Sequence, residues 1–234
     1  MKKIVLLFFC IFGSCIAVLA QSENVFTWDN GRVVPNPNHQ FLMDETTYER
    51  DIKVPEDWKT YVYGKDILMS PNGKYTYEIQ RIGLNEEPTG LMYEAVRILL
   101  DGRTILTRWG ADPFWTIKNL TLQKNDQRTF RFIPLDDESF ALIFEGWFFQ
   151  TEIEAAKMLI VVVHKDQATV VYEAPAIAFK YETTPTFSIE YTETVKQVLN
   201  KEGYIDDYAA DTKSTNWKHK IWKEGNILKY KSWK

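Results

Sequence analysis

The sequence predicts an all-β protein, mainly an antiparallel meander arranged as a sandwich or a curled sheet, with one short C-terminal helix and a closing β-hairpin. Three observations predict it. Between residues 67 and 180, runs rich in β-branched and aromatic side chains alternate with short turn signals, which is the syntax of successive hairpins. Two of those runs, residues 140–144 and 158–163, are apolar at every position, the mark of strands buried on both faces and therefore central. Helical spacing of apolar residues is scarce, and residues 192–202 are its best case.

The chain opens with Lys2 and Lys3 ahead of an apolar run over residues 4–18, and Ala20 is followed by the polar Gln21. That order reads as a secretory signal peptide over residues 1–20. The run is shorter than the ~20 apolar residues that span a bilayer, so no transmembrane segment is expected in the mature chain. Cleavage near Ala20 sends the protein to the periplasm or beyond the cell; the alternative is a lipid anchor on Cys15, in the stretch Phe12-Gly13-Ser14-Cys15. Cleavage also removes Cys10 and Cys15, leaving no disulfide, and with Lys2 and Lys3 gone the formal charge moves from −4 to −6. A net acidic chain is a poor general binder of nucleic acid, because neutralising phosphates takes clustered Lys and Arg.

Residues 21–56 read as an extended N-terminal segment. In it, residues 25–28 and 32–34 flank Asp29-Asn30-Gly31 as a hairpin, and Pro35-Asn36-Pro37-Asn38 continues as an extended loop. Residues 57–234 read as a single all-β domain. Ser70-Pro71-Asn72-Gly73 precedes a strand over 74–82, and Asp101-Gly102 joins strands 93–99 and 104–108, since that dipeptide accepts the positive φ angles of a tight hairpin turn. Strands are expected next over 114–122 and 129–133, then the two apolar runs, then 168–172 after the turn Lys165-Asp166-Gln167. The connection over 146–157 reads as a loop with a helical turn, because Thr151 and Glu154 have capping-box spacing. Tyr191, Val195, Val198 and Leu199 lie at helical spacing, with Thr192 as N-cap and Gly203 as the stop. Residues 215–233, with Lys223-Glu224-Gly225-Asn226 at their centre, read as the closing hairpin.

Catalytic motifs are sparse. Three histidines, His39, His164 and His219, stand apart from any nucleophile or metal-ligand spacing, so no cofactor or metal is expected and His164 reads as a solvated strand end. A carboxylate-based hydrolase of glycans would draw on Asp136-Asp137-Glu138, Asp206-Asp207 or Glu145. The reading preferred over it is a binding module for a glycan or protein ligand, with a structural envelope protein as a further alternative. Trp109, Trp115, Trp147 and Phe149 are the candidate contacts, because exposed rings on a β scaffold suit such ligands, although rings in loops also plug core ends. The last 23 residues carry seven lysines, one acid and three of the eight tryptophans. Trp217, Lys218, Lys220, Trp222, Lys229 and Lys231 form a basic aromatic tail suited to peripheral contact with an anionic surface. The plainer expectation is that these lysines protect a sheet edge from pairing with other chains.

Overall fold

A computed structural model of the chain describes residues 22–39, 59–84, 94–109, 131–150, 153–175, 179–182, 187–197 and 213–234, with side chains described except at 94, 145–150, 153–157, 174–175, 179–182, 193–197 and 213–215. Among the described residues fifteen strands run in chain order: β1 (Glu23–Asn24), β2 (Phe26–Asp29), β3 (Arg32–Pro35), β4 (Tyr61–Met69), β5 (Thr76–Gly83), β6 (Glu94–Leu100), β7 (Arg103–Trp109), β8 (Arg131–Pro134), β9 (Ser139–Gln150), β10 (Ile153–His164), β11 (Gln167–Pro175), β12 (Phe179–Glu182), β13 (Ser188–Gln197), β14 (Lys213–Glu224) and β15 (Ile227–Trp233). They form a first sheet β4-β5-β6-β7, a middle sheet β11-β10-β9-β8, a C-terminal sheet β1-β15-β14-β13-β12, and the two-stranded β2-β3 hairpin. Every pairing is antiparallel.

The middle sheet is covered on both sides, and the period-2 alternation of its strands decides which residue serves which core. Phe140, Leu142, Phe144, Leu159, Val161 and Val163 pack against Leu68, Tyr77, Ile79, Val96 and Ile98 of the first sheet. Ala141, Ile143, Met158, Ile160 and Val162 pack the other way, against Ile189, Tyr191, Ile221 and Leu228 of the C-terminal sheet and Val25, Phe26 and Val33 of the N-terminal segment. The fully apolar runs in the sequence are therefore the two central strands of a three-layer stack, paired with each other along their whole length. A bulge between Ile160 and Val161 in the β10–β11 register keeps Tyr172 facing the C-terminal sheet and Glu173 facing the first.

Turns behave as their sequences require. Asp101 (φ 49°) and Gly102 (φ 79°) both take left-handed backbone in the β6–β7 turn, as an Asp-Gly hairpin needs. The β14–β15 hairpin closes around Gly225, at φ 63°.

Three expectations are corrected. Residues 192–197, expected as the first turns of the C-terminal helix, belong to β13, which pairs with β14 through ten residues; 198–202 lie outside the described residues. Ser188 to Gln197 also alternates, with Ile189 and Tyr191 buried and Glu190 and Thr192 half-buried, and its β-branched Thr192, Thr194 and Val195 suit a strand once a partner edge is offered. The loop and helical turn expected in the connection over 146–157 are replaced at 146–150 and 153–157 by continuation of β9 and β10, with Glu154 paired to Phe149 and Ile153 to Gln150; 151–152 lie outside the described residues. Rings at 147, 148 and 149 favour strand, and the pairing partner outweighs a capping-box spacing. The extended loop after Pro35 tightens into a 3-10 turn, Pro37–His39, because Asn36 accepts hydrogen bonds from the backbone N–H groups of Asn38 (3.1 Å, on Oδ1) and His39 (3.0 Å, on its carbonyl). The strand expected over 114–122 lies outside the described residues; of the next, expected over 129–133, residues 131–133 fall in β8 and 129–130 lie outside the described residues.

Candidate functional site

The solvent side of the C-terminal sheet collects the charged and aromatic residues of the tail. Antiparallel pairing sets side chains of opposed residues on one face, and here Lys218 stands across from Trp233, Lys220 from Lys231, and Trp222 from Lys229. The opposite face presents His219, Ile221, Leu228 and Tyr230 to the core. Two lysines thus occupy the middle of the patch, with a tryptophan and a lysine at each end, arranged on opposite diagonals.

The electrostatics leave the patch basic. Lys220 Nζ lies 2.8 Å from Glu190 Oε1 on β13, and Lys229 Nζ lies 3.9 Å from Glu224 Oε1. Among the described side chains, those two acids face four lysines. The Lys231 ammonium sits 5.1 Å from the ring centroid of Trp233, and the indole of Trp222 donates to Glu224 Oε2 at 3.3 Å, so both rings are held in place. Lys218 is exposed, while Lys220, Lys229, Lys231 and both rings are half-buried, as stems lying along a flat sheet face should be.

This geometry corrects the edge-protection expectation for Lys218 and Lys220. The sheet order places β14 between β13 and β15, so Lys218 and Lys220 stand on an interior strand; β1 pairs with β15 at Lys229 and Tyr230 alone, and Lys231 lies beyond that pairing. It also sorts the tryptophans. Trp217 follows the core-side parity of His219 and Ile221 and is half-buried beneath Lys234, whose Nζ lies 4.8 Å from its ring. Trp233, which the sequence reading left aside, takes its place on the basic face; its parity with Lys229 and Lys231 was the signal that could have found it.

The other candidate rings are not gathered into one site among the described residues. Trp109 ends β7, half-buried and paired with Ala95. Trp115 lies outside the described residues. Trp147 and Phe149 are strand positions on β9, paired with Ala156 and Glu154, and their side chains lie outside the description.

Two histidines that looked isolated in the sequence are brought together inside the fold. The His219 ring stacks on Tyr191 (4.4 Å, 7°), and its Nδ1 is 2.8 Å from the Tyr230 hydroxyl. Tyr191 shares a hydrogen bond with Tyr172, and the Tyr230 ring lies 4.4 Å from His39. His39 Nε2 lies 3.6 Å from Glu23 Oε2, and burial holds the imidazole below its ordinary pKa against the raising effect of Glu23. All of these rings except Tyr230 are buried, so the network ties β11, β13, β14, β15 and the 3-10 turn together from within. His164, expected as a solvated strand end, is half-buried, 2.7 Å through Nδ1 from Ser139 Oγ and edge-on to Trp28. Ser139 has no exposed surface, so its hydroxyl cannot meet a substrate.

Of the acids weighed for hydrolysis, Asp136 and Asp137 are exposed turn residues, and Glu138 bridges Lys165 (3.0 Å) and Lys74 (3.6 Å). The hydrogen bond from Lys165 holds the Glu138 carboxyl below the usual carboxylate range, the wrong direction for a general acid. The Glu145 side chain and Asp206-Asp207 lie outside the description. Among the described residues no group of three His, Cys, Asp or Glu converges as metal ligands, and no helix is long and apolar enough to cross a membrane.

No family model, no curated protein and no solved structure matches the chain.

Proposed function

We propose that the chain is an exported binding module that takes an anionic partner on the solvent face of its C-terminal sheet. Lys220 directly opposite Lys231 is the observation that carries this reading. Like charges across a strand pair destabilise a sheet; Glu190, 2.8 Å from Lys220, offsets one of the two, and Lys220, on the interior β14, brings no protection against edge pairing. A cationic pair on this face suits an anionic partner. Half-buried lysine stems and pinned rings give that interaction a preorganised surface, which lowers the entropy lost on binding. The export part of the reading is supported by Lys2 and Lys3 ahead of the apolar run and by the small Ala20 at the expected cleavage step.

The test uses heparin as a generic polyanion. Retention on a heparin column at low salt is expected, with elution at moderate ionic strength because exposed charges are screened within ~10 Å at 0.1 M salt. Double charge reversal, Lys220→Glu with Lys231→Glu, should abolish retention while an unchanged circular dichroism spectrum shows the fold intact. Equal retention of the reversed variant, or no retention of the unaltered protein, would sink the reading.

A further inference from the structure

We infer that the anionic partner is an acidic polysaccharide, read by Trp222 and Trp233 as sugar-stacking rings and by Lys218, Lys220, Lys229 and Lys231 as contacts for its carboxylate or sulfate groups. This rests on the basic face being a binding surface, and it adds the chemical class of the ligand.

The placement of the two rings is the first reason. Trp222 and Trp233 stand at opposite ends of the patch, four residues apart in register, which is about 14 Å along the strands. Between them lies the Lys220–Lys231 pair, with one further lysine beside each ring. A charged polysaccharide presents the same alternation, since each pyranose ring has an apolar C–H face that packs on an indole while its acidic substituents project from the ring edge. A polyanion without rings would use the lysines and leave the tryptophans idle.

The second reason is that neither ring projects far from the face. Both rings are half-buried in the sheet surface, and the indole of Trp222 is fixed by Glu224. A surface that enters lipid needs apolar groups that project. Among the described residues, the large hydrophobic side chains that are exposed, Val34, Val62, Ile67 and Met69, lie elsewhere, on β3 and β4. Ile227 at the turn end of the face is half-buried.

Affinity electrophoresis and calorimetry with four probes make the test: polygalacturonate, neutral dextran, polyglutamate, and phosphatidylglycerol vesicles. Polygalacturonate should bind in preference to the other three. Trp222→Ala and Trp233→Ala should each weaken that binding about fivefold, as expected for a lost aromatic contact, with unaltered thermal melting showing that the fold survives. Lys218→Gln and Lys231→Gln should weaken binding in a salt-dependent way. Polyglutamate binding as tightly, with the tryptophan variants unaffected, would overturn the sugar reading and leave the anionic face standing. Preferential capture by vesicles would overturn it in favour of a lipid surface. Failure of every probe would remove the anionic face and this inference together.

Discussion

At the scale of single residues, the largest energies sit where charge is buried. Arg108 on β7 and Glu173 on β11 meet at 2.6 Å between the first and middle sheets, with side chains 9% and 5% exposed. The Arg108 guanidinium also donates to the Trp109 carbonyl at 2.6 Å. Removing the carboxylate would take away the close counter-charge of a buried cation, so Glu173→Ala should cost about 3 kcal/mol, read as a lower urea midpoint. An unchanged midpoint would mean that water or another group takes over the cation. His39 makes a pH-dependent contribution. Burial lowers its folded pKa below the unfolded value of 6.5, so the unfolded chain binds the extra proton first and stability falls as pH drops below about 6.5. The groups facing it are Glu23, Tyr172 and Tyr230, of which Glu23 favours the charged ring and partly offsets the burial. Melting temperatures of the protein and of His39→Gln, compared between pH 7.5 and 5.5, should show a smaller decline in the variant. Parallel declines would assign the pH dependence to other groups.

At the scale of elements, pairing partners outrank local signals. Residues 188–197 carry both a helical spacing of Tyr191 and Val195 and a strand alternation of Ile189 and Tyr191, and the free edge of β14 selects the second. The same competition converts a capping-box spacing at Thr151 and Glu154 into a long β9–β10 hairpin. Turns are where local chemistry does decide, since a positive φ is a property of one residue. Gly102, at φ 79°, has nothing within 4 Å of where a Cβ would stand, so any penalty there is conformational alone. Gly102→Val should therefore lower stability by about 1–2 kcal/mol without disturbing packing. A chemical denaturation curve with the same midpoint would show that the β6–β7 turn has another conformation open to it.

At the scale of the whole molecule, the middle sheet is the structural centre, because both outer sheets bury their apolar faces on it. Ile143 is fully buried in the core shared with the C-terminal sheet and the N-terminal hairpin, and Ile143→Ala should cost about 2–5 kcal/mol through the cavity it leaves. Unfolding monitored by tryptophan fluorescence should then show an earlier transition, and an unshifted one would mean that the layers close over the gap. The sequence by itself determined the strand-rich class, the doubly apolar centre of the stack at residues 140–144 and 158–163, the Asp-Gly turn and the closing hairpin, because periodicity and turn chemistry are local. It also determined which tail residues share a face, since parity fixes that within one strand. Only the tertiary structure decided that β14 is interior, that His39 meets Tyr230 across almost the whole chain, and that Trp233 joins Trp222 across a lysine pair. Sheet order and cross-strand register are set by which edges meet, and that information is spread over residues far apart in the chain.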